Sequence, residues 1–156
     1  MRRWKAYLIL TAAVAIQPNW SHAAEPSPFL GAWQVDVSKL PVPQPPKSVT
    51  LKVSDVGKET WRIDIDTVSQ DGAVIHADAR FRLDGSPAKV SGSLVVDYVS
   101  ITLPNAQTLV MGTAMMGRWS NMRVFTLSDH GMRMTETITG LGPDGKPRTR
   151  TNIWRR

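Results

Sequence analysis

The sequence contains no cysteine. That absence excludes disulfide staples, zinc–thiolate sites and a thiol nucleophile, so the stability of the fold must come from packing. Histidine is almost as scarce. Beyond His22 near the N-terminus there are only His76 and His130, too few for a zinc site with three protein ligands, and no metal or other cofactor is expected. There is no G-x-S-x-G or H-E-x-x-H hydrolase signature, and the protein reads as non-enzymatic. No run of 18 apolar residues exists to span a bilayer as a helix. A dense basic stripe or recognition motif is missing too, which argues against a nucleic-acid partner.

The first segment is an export signal in composition. Met1-Arg2-Arg3-Trp4-Lys5 is positively charged, and Ala6 to Ile16 (AYLILTAAVAI) is an eleven-residue apolar stretch. Ser21-His22-Ala23-Ala24 then provides small residues at Ser21 and Ala23 for cleavage after Ala23, with Ala24 the alternative. Eleven residues rise only about 16 Å as a helix, against a hydrocarbon core of about 30 Å. The expectation is a signal peptide over 1–23, a single domain over 24–156, and a periplasmic or secreted location. Of 19 basic and 13 acidic residues, Arg2, Arg3 and Lys5 belong to the leader, so 16 face 13 beyond it and the balance is an ordinary +3.

What the remaining sequence does have is alternation. Period-2 segments separated by turn signals recur where a sustained 3.6-residue apolar period does not. The predicted strands are Phe29–Val37, Val49–Val53, Thr60–Val68, Val74–Leu83, Ala88–Val90, Val95–Leu103, Thr108–Met115, Met122–Leu127, Met132–Thr139 and Arg148–Trp154. Gln70-Asp71-Gly72, Asp84-Gly85, Asp129-His130-Gly131 and Pro143-Asp144-Gly145 mark turns. The first of these turns pairs Trp61 with Phe81, Ile63 with Ala79 and Ile65 with Ala77, while Arg62, Asp64, Asp66, His76 and Asp78 share the opposite face. A slip of one residue would mix the two faces, so the register is well specified. The four prolines of Lys39 to Lys47 predict a stiff connection over the surface or across a barrel mouth. With no helix to cover a sheet, about 8–10 such strands imply an all-β fold, a closed antiparallel barrel or a sandwich.

Phe29-Leu30-Gly31-Ala32-Trp33 carries a G-x-W on the first strand, and the chain ends Asn152-Ile153-Trp154-Arg155-Arg156. This resembles the calycin superfamily, the lipocalins and fatty-acid-binding proteins. The ordered set of the G-x-W start, Pro45-Pro46-Lys47-Ser48, the D-G turns and Asp144-Gly145-Lys146-Pro147 is similar to small exported bacterial barrels of that type. The resemblance implies an up-and-down calycin-like barrel closed at one end by Gly31, Trp33 and a basic residue of the last strand, Arg155. It also implies an interior that binds a small ligand. One departure matters: where fatty-acid-binding proteins carry a carboxylate-gripping arginine two residues before the final aromatic, this chain has Asn152, so fatty acid does not carry over as the ligand.

Glu136 is the oddest residue, because it lies on the same side of its strand as Met132, Met134 and Ile138. If that side faces inward, the buried carboxylate needs a partner. The Pro143-Asp144-Gly145 turn pairs Glu136 with Asn152 and Ile138 with Arg150, which places Arg150 diagonal to Glu136 and within reach. If that side faces solvent, the site does not exist. The candidate ligand-binding set is Glu136, Arg150, Asn152, Trp154, Met111 and Met134, from a methionine cluster that also holds Met115, Met116, Met122 and Met132. Asp64 and Asp66 alternate on a strand without the further oxygen ligands that calcium needs, and read as a solvated face. Two functions compete: a barrel holding a small apolar ligand, and a solid barrel that contacts an envelope protein as an interaction module or inhibitor. An interior volume beyond about 300 Å³ would favour the first.

Overall fold

A computed structural model describes residues 25–156, so the leader expected over 1–23 lies outside the described residues. Ten antiparallel strands form one closed barrel: β1 (Gly31–Val35), β2 (Ser48–Asp55), β3 (Thr60–Val68), β4 (Val74–Arg82), β5 (Asp84–Ser91), β6 (Tyr98–Asn105), β7 (Thr108–Met115), β8 (Arg118–Ser128), β9 (Arg133–Leu141) and β10 (Pro147–Arg155). Each strand pairs with its sequence neighbours, and β1 closes the ring by pairing with both β2 and β10. The up-and-down barrel is therefore the observed fold, of the calycin-like type, and full closure leaves no sheet edge exposed.

The register follows the alternation of the sequence. Trp61 faces Phe81, Ile63 faces Ala79 and Ile65 faces Ala77 across β3–β4. Across β9–β10, Glu136 faces Asn152 and Ile138 faces Arg150. Two connections differ from expectation. Met116 and Gly117 both adopt positive φ (52° and 69°), the backbone of a two-residue hairpin turn, and β8 therefore begins at Arg118 rather than Met122. A methionine rarely takes that conformation, so Gly117 is the one turn signal in that pair. At the expected Asp84-Gly85 turn, the chain bends one residue earlier. Asp84 and Gly85 open β5, which bulges between Asp84 and Pro87, where a proline is tolerated in a strand.

The proline-rich segment takes one 3-10 turn at Val37–Lys39 and then runs across the open end. Leu40 lines the interior, and the Pro45 carbonyl accepts a hydrogen bond from Gln70 at 2.7 Å. Of the two routes open to this segment, it takes the one over the mouth.

Candidate functional site

The closed end is built by Trp33. Its ring is 1% exposed, its Nε1 donates to the Phe29 carbonyl at 3.0 Å, and a guanidinium lies 4.2 Å over its centroid. That cation is Arg156, not the expected Arg155. Arg155 sits opposite Gln34 and is exposed, because a residue next to the inward Trp154 points outward. Arg156 follows the last strand and can fold back over the end, where it also donates to the Pro28 carbonyl and, at 2.8 Å, to that of Leu30. Gly31 has φ +117°, a conformation that a side chain disfavours, and this gives the G-x-W glycine its physical reason.

Above this plug the barrel is hollow. A cavity of about 430 Å³ opens toward the β3–β4, β5–β6 and proline-rich connections. Its walls are mostly apolar, with Val99, Ile101, Leu109, Met111, Phe125 and Met134 among them. Met111 and Met134 are buried as the candidate set required. Met116, Met122 and Met132 are 81%, 46% and 55% exposed, so the methionine cluster as a whole is not a cavity wall. Those three lie at turns or on outward-facing positions.

One wall is polar. Glu136 is 1% exposed, which places its face inward. Its Oε1 accepts from Arg123 Nη1 at 3.1 Å, and its Oε2 accepts from Asn152 Nδ2 at 2.8 Å and from Trp154 Nε1 at 3.0 Å. Three adjacent strands converge here: β8 supplies Arg123, β9 Glu136, and β10 Asn152 and Trp154. Arg123 is held in turn by the Asn121 side chain at 3.0 Å. A buried carboxylate with a charged partner and two neutral donors is satisfied in a way that a lone one is not.

The cation is therefore Arg123 and not Arg150. Both lie opposite Ile138, one on each flank of β9, and both are diagonal to Glu136. On the β10 side Asn152 and Trp154 already occupy Oε2, which leaves Oε1 to the β8 side. Arg150 stays exposed on the rim, lining both the cavity and a second pocket beside Pro41, Asn121 and Ile138. The sequence held a signal for Arg123, since it alternates with Phe125 and Leu127 and so shares their inward side.

Outside the barrel, Asp64 and Asp66 form a charge ladder. Arg62 donates to Asp64 at 2.6 Å and lies 3.5 Å from Asp78, while His76 Nδ1 is 2.7 Å from Asp66. The hydrogen bond from Arg62, ahead of its charge, holds the Asp64 carboxyl below its ordinary range. Among the described residues no group of His, Cys, Asp or Glu is arranged to hold a metal ion.

No protein-family profile and no curated protein matches the sequence. Among solved structures, the wild-type fluorescent protein UnaG aligns with a TM-score of 0.54 and 16% identity, covering 82% of this chain and 96% of that one. Two of its point mutants align likewise, at TM-scores of 0.56 and 0.53 and identities of 16% and 18%, covering 83% and 82% of this chain and 96% and 95% of theirs. At such identity the likeness is one of fold, and the fold is shared over nearly the whole of the described barrel.

Proposed function

We propose that this protein is an exported, non-enzymatic barrel that takes up one small, mainly apolar molecule in its interior. The observation that carries the reading is the cavity of about 430 Å³, mostly apolar, with Glu136, Arg123 and Asn152 gathered on one wall. Pockets with apolar walls and a few convergent polar groups are the usual form of a small-molecule site. A buried carboxylate held by a partly exposed arginine and facing an apolar space adds to this, because burying a charge gives little net stability over packed apolar residues. The rival, an envelope interaction module with a solid barrel, is not favoured by an interior of this size. Of the candidate set, Glu136, Asn152, Trp154, Met111 and Met134 keep their places at the site, and Arg150 becomes a rim residue. Export is part of the proposal, with a mature chain starting at Ala24 or Glu25.

The test uses N-phenyl-1-naphthylamine, a neutral dye that brightens in apolar surroundings. Saturable one-to-one binding is expected, and it should be lost in Ala77→Phe, which fills the cavity from β4. Dye binding unaffected by that substitution, or no saturable binding to the wild type, would defeat the reading.

A further inference from the structure

Arg150 is the charged residue that lines both the cavity and the second pocket. It is exposed, and its guanidinium joins no ion pair or side-chain hydrogen bond among the described residues. The other charges on the cavity wall are already matched. Among the described residues Glu136 is the only carboxylate that lines either space, and Arg123 offsets it at 3.1 Å. Asn152 and Trp154 complete its hydrogen bonds, so Glu136 draws nothing from Arg150 although the two are diagonal across β9–β10.

The second pocket, of about 470 Å³, lies against this unmatched cation. Ser120, Asn121, Arg148 and Arg150 line it, and no carboxylate does. Arg148 gives an N–H to Asp144 at 3.2 Å, out of the five that a guanidinium carries. Arg148 and Arg150 against Asp144 alone leave this corner with positive charge in excess. The two spaces share Ile138 and Arg150, and consecutive residues of the proline-rich segment touch both, Leu40 the cavity and Pro41 the pocket. A phosphate ester, with about −1.5 to −2 charges and three acceptor oxygens, suits a pair of guanidiniums better than a carboxylate does.

We propose that one anionic amphiphile spans the two spaces, with a phosphate-type head group on Arg150 in the second pocket and its apolar chain in the cavity. This rests on the reading of the barrel as a small-molecule carrier and adds the site and chemistry of the head group. The chain lies against Ile101, Leu109 and Met111, and Arg148 supplies further donors to the head.

Displacement of N-phenyl-1-naphthylamine by three twelve-carbon probes, each below its micellar concentration, tests it: dodecyl phosphate, dodecanoate and 1-dodecanol. Dodecyl phosphate should bind about tenfold more tightly than dodecanol, with dodecanoate between them. Raising the salt concentration should narrow that gap. Arg150→Gln should bring dodecyl phosphate down to the level of dodecanol and leave dodecanol unchanged. Because Arg150 is exposed and unpaired, the same variant should keep the wild-type Tm. Dodecanol as tight as the phosphate would overturn the proposal, and so would a phosphate advantage that survives Arg150→Gln. Dodecanoate equal to the phosphate would overturn the phosphate-type head. If the dye binds but the ranking fails, the head-group site is wrong and the carrier reading stands. If neither dye nor any probe binds, the carrier reading falls and takes this proposal with it.

Discussion

The two ends of the barrel solve different problems with the same strands. At the closed end the inward residues are large and fitted: Phe29, Trp33, Trp61 and Phe81 are each at most 6% exposed, and Arg156 lies over the plug. Toward the open end the inward positions of the same strands carry Ala77, Thr67 and Val49, and the space between them stays empty. Large apolar side chains are exposed around the mouth there instead. Leu94 and Val95 in the β5–β6 connection are 73% and 68% exposed, and Val74, Met116, Trp119 and Leu141 also face solvent. The closed end stabilises the protein, and the open half gives up part of that packing to keep a cavity.

The largest expected effect tests the plug. Trp33→Ala removes a buried indole, its hydrogen bond to Phe29 and the surface on which Arg156 rests, and should cost about 3–5 kcal/mol in denaturant unfolding. A loss below about 1 kcal/mol would mean that the end is not closed by Trp33. The same substitution should leave the affinity of the remaining folded protein for a cavity probe nearly unchanged, since Trp33 does not line the cavity.

A sharper comparison uses two neighbours on one face of β4. Ala79 is 2% exposed and lies below the cavity, whereas Ala77 lines it. Ala79→Leu forces extra methyl groups into a filled layer and should cost about 1–3 kcal/mol. Ala77→Leu extends into empty space and should change stability by less than about 1 kcal/mol while weakening probe binding. Equal costs at the two positions would mean that the hollow half is as tightly packed as the plug.

Most of this architecture was legible because alternation carries it. The strand pattern and the β3–β4 and β9–β10 registers follow from period 2 and a few Gly-containing turns, whereas which side of β9 faces inward, and so the burial of Glu136, was left open by the sequence. The partner of Glu136 was harder. Pairing rules place Arg123 and Arg150 symmetrically about Ile138, and only the prior claim of Asn152 and Trp154 on Oε2 decides between them. That is a matter of three-dimensional crowding, which spacing does not encode. Arg156 was missed for a related reason: strand parity says nothing about a residue that has left the strand. The Met116-Gly117 turn was missed because methionine is an uncommon occupant of left-handed backbone.

The smallest expected effect lies on the outside of the open half, where β3 and β4 carry a wet face over the hollow one. His76 Nδ1 lies 2.7 Å from Asp66 and Nε2 lies 3.6 Å from Asp64. The hydrogen bond with Asp66, followed by the charges of Asp66, Asp64 and Asp78, raises the imidazole above its ordinary 6.5. A raised value means that the folded protein holds this proton more tightly than the unfolded chain does. The contribution is therefore fully present below the ordinary value and is lost as pH rises through the raised one. His76→Gln should lower Tm relative to the wild type at about pH 5 and converge with it by about pH 8. Because the imidazole is half exposed, salt should shrink even the acid-side difference. A gap that widened with pH would contradict the ladder. A gap that persisted in high salt would place His76 in the packing of the hairpin instead, and the outer face of the hollow half would then contribute more to stability than its solvation suggests.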